Sequence, residues 1–541
     1  MKNILLAVFF FMILPSLVFA AMEKDFLEND EDYALSDNTR NPGMPGTIAL
    51  GDINGDGYDD LIMGAPQAVA LDESDTGIVY VRFGLNFGEG AGYIPEAWYD
   101  LSTTTTQTLD PTLSSLNFPD GFSRLGGVQI NGERAGDRFG ASLATGDFDG
   151  DGICDIAVGM EQSLSPEGTG RVYMIRGRTD IEGLVDLATE RIQGRSFYIT
   201  GRNIGDRFGE KLFFADFNND GKDDLVIGSS GAGNGGEVDI FYGRAFSPFY
   251  SQGVDSLPLP RTKFESEGSN DQLGSGFAKG DLTGNGLQDL AIGAPGNSGF
   301  ANNSGMTYIF EGTSILPYQQ GLVDLAATTR TLRIVSRVPS EKSGSSLASG
   351  DFDQDGLLDL AIGAPGWGND TETNRGRVYV FYNDNAIFQI TGTQNLELSL
   401  ADIRFSSLRK EMRLGSRIAF LNFDDYKGSD LVVAAPFGAF FTRPLAGEAW
   451  IIQGHTPSTR LSGVNYFLQW YDRAIHILGQ EPGDNLGFDL CTGDFNGDGT
   501  NDLFFSGNQG NNSYGKSIWG LFGSASYQQT NVKPRLWNNY E

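Results

Sequence analysis

For its length the chain has very little cysteine, histidine or positive charge. Two cysteines, Cys154 and Cys491, in 541 residues do not make a disulfide scaffold and read as two buried small side chains. The two histidines, His455 and His476, stand in neither a Ser/His/Asp nor an H-E-x-x-H context, the commonest hydrolase arrangements. His476 alternates with Ile475 and Ile477 in a strand-like run, which is a structural setting. Only 38 basic side chains oppose 70 acidic ones, for a net charge of −32. Nucleic acid and anionic membrane surfaces carry the same sign, so neither is expected as a partner. Long apolar runs are missing too, except MKNILLAVFFFMILPSLVFA at the start, which reads as a signal peptide over residues 1–20. No cysteine follows for lipid attachment, and the closing NVKPRLWNNYE has no apolar tail. No membrane span or lipid anchor is therefore expected. The mature chain should be secreted or extracellular, or periplasmic in a bacterium.

Glycine, carboxylate and apolar residues are what the chain has in quantity. Seventy-four glycines without a collagen period point to many tight turns, and 40% hydrophobic content is enough for a large core. The acid is not spread evenly. GDFDGDG, at Gly146 to Gly152, places aspartates at alternate positions, and such a loop recurs from first positions Asp52, Asp147, Asp216, Asp281, Asp351, Asn422 and Asp494. Most intervals lie near seventy residues, the first being longer. Self-similarity at a fixed period marks a repeat architecture.

Each loop is followed by a short β-rich run (LIMG, IAVG, LVIG), a second farther on (RVYMI, RVYVF) and in most copies a third (SFYIT, AIHIL). With the strand entering the loop, this makes four short antiparallel strands per repeat. The pattern predicts an all-β, seven-bladed β-propeller over residues 46–523. Residues 21–45 form an acidic arm and residues 524–541 a tail. The last repeat runs out after its third strand, so a strand from the arm, around Asp32 to Ser36, is expected to complete that blade.

The loop reads D-x-[D/N]-x-D-G-x-x-D. Oxygen side chains at positions 1, 3, 5 and 9, a main-chain carbonyl at 7 and a turn glycine at 6 can wrap one hard cation, and Ca²⁺ suits such flexible all-oxygen ligation. The predicted ligand sets are Asp52, Asn54, Asp56, Tyr58 and Asp60; Asp147, Asp149, Asp151, Ile153 and Asp155; and Asp216, Asn218, Asp220, Lys222 and Asp224. The later ones are Asp351, Asp353, Asp355, Leu357 and Asp359, then Asp494, Asn496, Asp498, Thr500 and Asp502. Loop 4, with Asp281, Thr283, Asn285, Leu287 and Asp289, has less charge and should bind more weakly. Loop 6, with Asn422, Asp424, Tyr426 and Lys427, should hold no metal, because the lysine supplies its own cation. An EF-hand needs Glu at position 12, where these loops have Met63, Val158, Ile227, Ile292, Ile362 and Phe505, so that reading fails.

Two further elements keep register with the loop. A glycine stands seven residues before it in Phe139-Gly140, Phe208-Gly209, Leu273-Gly274, Ser343-Gly344, Leu414-Gly415 and Leu486-Gly487, and Met44-Pro45 replaces the pair in the first copy. Gly-Ala-Pro follows at Gly64, Gly293 and Gly363, with Ala434-Ala435-Pro436 a near match. Together these resemble FG-GAP repeats, the units of the seven-bladed propeller of integrin α subunits. The resemblance implies calcium loops between the first and second strands on one face, and a protein or glycan ligand on the opposite face. It departs in two ways. Integrin α subunits carry calcium in three or four adjacent late blades, whereas the full loops here lie in blades 1, 2, 3, 5 and 7; leg domains, membrane span and cytoplasmic tail are also not found. The expected role is an exported calcium-braced adhesion or ligand-binding module, not an enzyme, with the insertion at Leu101 to Gly127 as a candidate contact surface. Related repeats in a phospholipase D that cleaves glycosylphosphatidylinositol anchors leave a secreted hydrolase or a lectin-like propeller as alternatives. Asn302, Asn369 and Asn511 open N-x-S/T sequons, used only in a eukaryotic exported chain.

Overall fold

The computed structural model describes residues 46–523 and the strands Lys24–Asp25 and Tyr33–Ser36. Within that span it leaves out 69–75, 85–97, 101–126, 135, 161–167, 248–250, 257–259, 313–320, 327–330, 369–372, 385–386, 389, 391–392, 425–427, 440–442, 462–464, 471–473, 480–481 and 508–516. The predicted signal peptide, the tail, most of the first-repeat insertion, Tyr426, Lys427, Asn369 and Asn511 lie outside the described residues.

The chain forms seven sheets, arranged as a seven-bladed propeller with almost no helix. The innermost strands are Thr47–Gly51, Phe139–Gly146, Lys211–Ala215, Gly276–Gly280, Ser346–Gly350, Arg417–Leu421 and Asp489–Gly493. Each lies beside the next, and the seventh returns to the first. The second strands, such as Asp60–Ala65, Asp359–Ala364 and Asp430–Ala435, are buried along their whole length because both sheet faces meet a neighbouring blade. Apolar side chains accordingly cluster between blades; one cluster joins Phe495, Phe504 and Ile518 of blade 7 to Ile48, Leu61 and Met63 of blade 1.

The two motif glycines act at these junctions. A Cβ on Gly293 would stand 1.9 Å from the carbonyl oxygen of Gly344, and one on Gly363 would stand 2.2 Å from that of Gly415. The Gly-Ala-Pro glycine of one blade thus lies against the backbone of the Phe-Gly position of the next, an approach no other residue permits.

Each sheet has five strands where the sequence pattern predicts four. The fifth is parallel and comes from the following repeat, between that repeat's third and fourth strands. Gly183–Val185 pairs in this way with Gly127–Asn131, and Gly321–Asp324 with Arg261–Glu265. These strands are only two to four residues long, too brief to carry a clear period-two signal. At the ring's seam the N-terminal arm does both jobs. Tyr33–Ser36 pairs antiparallel with Ser517–Leu521 as the fourth strand of blade 7, and Lys24–Asp25 pairs parallel with Ala474–Leu478 of blade 6. No sheet edge is left at the join.

Candidate metal loops

All seven acidic loops connect the first strand of a blade to its second, so they share one end of the ring. The local turn follows from residue type. In loop 2 the Asp147 carboxylate accepts from the amides of Gly150, Asp151 and Gly152 at 2.7, 3.0 and 2.8 Å, and Asp151 Oδ1 accepts from Ile153 N at 3.0 Å. Gly152 has φ 86°, a left-handed value that L side chains avoid. Loops 1, 3, 4, 5 and 7 repeat the bond from the position-6 amide to the first aspartate, at 2.8–3.0 Å.

The ninth residue behaves differently. Asp359 is fully buried; its Oδ2 accepts from Phe352 N at 2.9 Å and its Oδ1 from Asn383 N at 2.9 Å. The equivalent Asp60, Asp155, Asp224, Asp289, Asp430 and Asp502 also accept two such bonds, one within the loop and one from the turn after the third strand. Burial raises these carboxyls against the opposing pull of the amides: Asp289 to about 6, Asp60 and Asp430 to about 7, and Asp224, Asp359 and Asp502 to about 8. A buried carboxyl is costly to ionise unless a positive charge is supplied.

Carboxylate oxygens of Asp147, Asp149 and Asp151 lie within 4.8 Å of one another, as do those of Asp351, Asp353 and Asp359. Asp353 is fully buried, yet its Oδ1 accepts no hydrogen bond, and Asp149 Oδ1 is likewise buried without a partner. An orphaned buried acceptor at position 3 of an all-oxygen loop fits a hard cation. Where position 3 is Asn, its amide turns to the position-5 carboxylate instead: Asn54 to Asp56 at 3.0 Å, Asn218 to Asp220 at 3.2 Å and Asn496 to Asp498 at 3.3 Å.

Sequence reasoning missed three sets of supporting residues. Position 2 is a buried apolar wedge in every loop (Ile53, Phe148, Phe217, Leu282, Phe352, Phe423 and Phe495), and the recurrence of an apolar residue there was a readable signal. Position 8 fastens loops to one another. The amides of Cys154, Asp223, Ser429, Asn501 and Asp59 donate at 2.7–3.1 Å to the position-1 carbonyl of the preceding loop, and the Asp59–Asp494 bond closes the ring. Cys154 is therefore part of this belt; both cysteines are unpaired and only half-buried, which corrects the expectation of full burial. Side chains from outside the loops form the third set. Arg176 pairs with Asp149 at 2.7 Å and Asp151 at 2.8 Å, while Arg460 reaches from blade 6 to pair with Asp353 and Asp384. Only a three-dimensional arrangement reveals the second of these.

The histidines have structural partners: His476 stacks on Trp450 at 4.7 Å and meets Glu448 at 2.9 Å, and His455 packs edge-on against Phe352.

Residues 44–81, 139–174, 208–241, 273–310 and 343–381 match the FG-GAP repeat. The chain carries five FG-GAP repeats. Blades 6 and 7 fall outside the matched segments. Integrin alpha-PS2 of Drosophila melanogaster is 32% identical over 233 residues, which are 42% of this chain and 15% of the integrin. Phosphatidylinositol-glycan-specific phospholipase D of Mus musculus is 28% identical over 218 residues, 38% of this chain and 24% of the enzyme. The chain thus spans less than a quarter of the length of either relative. Sqt1 from Chaetomium thermophilum, a solved structure, aligns over 92% of this chain and 99% of its own at TM-score 0.38 and 14% identity, too distant to bear on function. No helix among the described residues is long and apolar enough to cross a membrane.

Proposed function

We propose that this FG-GAP propeller is an exported binding or adhesion module whose ring is braced by Ca²⁺ in the first-to-second-strand loops. The ligands are those predicted from the repeat, at positions 1, 3, 5 and 9 with the position-7 carbonyl. The observation that carries the calcium reading is the fully buried Asp353, whose Oδ1 has no hydrogen-bond partner and whose carboxylate lies within 4.8 Å of those of Asp351 and Asp359. A bound cation supplies the positive charge that the buried ninth carboxyls lack. Chelation should lower the melting temperature by roughly 10 °C or more, since an ion held only by the folded chain stabilises it by mass action. An unchanged melting curve in EDTA overturns the reading.

The binding role rests on the opposite end of the ring. There, arginine lies over an aromatic ring in three consecutive blades: Arg337 over Phe300 at 5.0 Å, Arg377 over Trp367 at 3.6 Å and Arg413 over Phe437 at 4.5 Å. Arg337 also pairs with Glu397, and arginine and large aromatic rings are the side-chain types that dominate interfaces. A protein or glycan ligand with acidic groups suits this end of the ring. Exposed Asn302, on the same end of blade 4, is the sequon a glycan would use. A glycan array and a cell-surface extract, probed with wild type and with W367A/F437A, test the role. Ligand lost in the variant supports it; ligand retained there, or hydrolysis of the captured glycan, overturns it.

A further inference from the structure

At the end of the ring opposite the acidic loops, one register position recurs in every innermost strand: the residue paired with the fifth residue of the blade's second strand. In blades 1, 2 and 5 it is Thr47, Ser142 and Ser346. Each hydroxyl donates sideways to the carbonyl of the motif glycine that opens the next blade, Gly140, Gly209 or Gly415, at 2.7, 2.5 and 2.7 Å. In blade 4 it is Gly276, with no side chain at all. Blades 3, 6 and 7 place charges there instead: Lys211, Arg417 and Asp489. Blades 3 and 6 stand as far apart as a ring of seven allows. The Arg417 guanidinium is nevertheless the strongest influence on the half-buried Lys211 ammonium, and with burial it holds that group down to about 8. Side chains on opposite sides of a ring repel in this way when both point into its central channel.

The acids that act on Lys211 are Asp489 and Glu210, and both are engaged elsewhere. Asp489 accepts from Arg417 Nε at 3.0 Å and from Ile48 N at 3.3 Å. Glu210 accepts from Ser230 Oγ and lies 3.5 Å from Arg207 Nη1. Among the described residues Lys211 has neither a hydrogen bond nor an ion pair. Arg417 is half-satisfied: Nε goes to Asp489 and Nη1 to the Ser416 carbonyl at 2.9 Å, which leaves Nη2 to donate into the channel. Two cations facing each other with donors to spare are costly until an anion joins them. We infer that Lys211 and Arg417 hold one oxyanion, a carboxylate or sulfate group, in the mouth of the central channel. Lys211 supplies a point charge with three rotatable donors, and Arg417, oriented by Asp489, a fixed one. Gly276 and the sideways hydroxyls leave the mouth open to the ion. As the contact for an acidic ligand, this site rests on the binding role proposed above, whereas simple salts occupy it without that ligand.

The test is isothermal titration of the full chain with sodium sulfate and with sodium acetate at constant ionic strength, with K211M and K211R alongside wild type. Wild type should bind one ion. K211M should bind it roughly tenfold more weakly or worse, the loss expected of one charge-assisted hydrogen bond, and K211R should stay close to wild type. Without added oxyanion, K211M should melt no lower than wild type, because it removes one of two repelling charges. Tighter binding of sulfate marks a sulfate ester as the ligand group, and tighter binding of acetate marks a carboxylate. The site is overturned by a wild type that binds neither salt, by K211M binding as wild type does, or by K211M melting lower, which would make the ammonium a structural partner. A wild type that binds the salt while W367A/F437A still captures the cell-surface ligand defeats the binding role alone and leaves the oxyanion site standing.

Discussion

Blades 5 and 6 are neighbours with the same strands and the same buried wedge, yet their loops differ at ligand positions 1 and 5 and at the turn glycine. Loop 5 has Asp351, Asp353, Asp355 and Gly356, while loop 6 has Asn422 and Asp424 and no glycine at position 6. One residue survives the change in full. Asp430 accepts from Phe423 N at 3.0 Å and Gly454 N at 2.9 Å, as Asp359 does from its own two amides. The ninth aspartate therefore ties the hairpin to the turn after the third strand whether or not the other ligands are present. Positions 1, 3 and 5 are what the proposed cation would hold.

The largest effect should come from breaking what the two blades share. Asp359→Ala and Asp430→Ala each strand two buried backbone amides and should cost roughly 2–5 kcal/mol in denaturant unfolding. For Asp430→Ala the loss should be the same in calcium and in EDTA, and a calcium-dependent loss there would place an ion in loop 6. Breaking what they do not share comes next. Asp355→Asn should cost about 1–3 kcal/mol in calcium and almost nothing in EDTA, and Asp424→Asn should cost little in either. Equal losses for Asp355→Asn in both buffers would make that carboxylate a turn residue only.

A smaller effect separates the blades by pH. Burial raises Asp359 to about 8 and Asp430 to about 7 in the metal-free ring. A carboxyl raised in the folded state binds its proton more tightly there than in the unfolded chain. The contribution of Asp359 and Asp430 to the metal-free ring is full below the unfolded value of 3.8 and is lost as pH rises through about 7 to about 8. Melting curves in EDTA across that range should fall, and calcium should flatten or reverse the trend. Stability that rises with pH in EDTA contradicts this.

Much of this was legible because repetition converts a weak motif into a strong one. A single D-x-D-x-D-G loop fits several folds, whereas seven copies with an apolar position 12 fit a blade corner. The fifth strands were not legible. Gly183–Val185 and its counterparts are defined by their pairing partner in the previous blade, and their own residues carry no period. Arg460 was hidden for a similar reason, since 107 residues separate it from Asp353.

Amide hydrogen exchange across loops 5 and 6, with calcium and with chelator, tests the central claim most directly. The account predicts that calcium protects the amides of Asp355, Gly356 and Leu357 and leaves those of Phe423 and Gly454 as they were. Equal protection of both loops, or of neither, would contradict a ring braced by calcium in its full acidic loops and by Asp430 alone in blade 6.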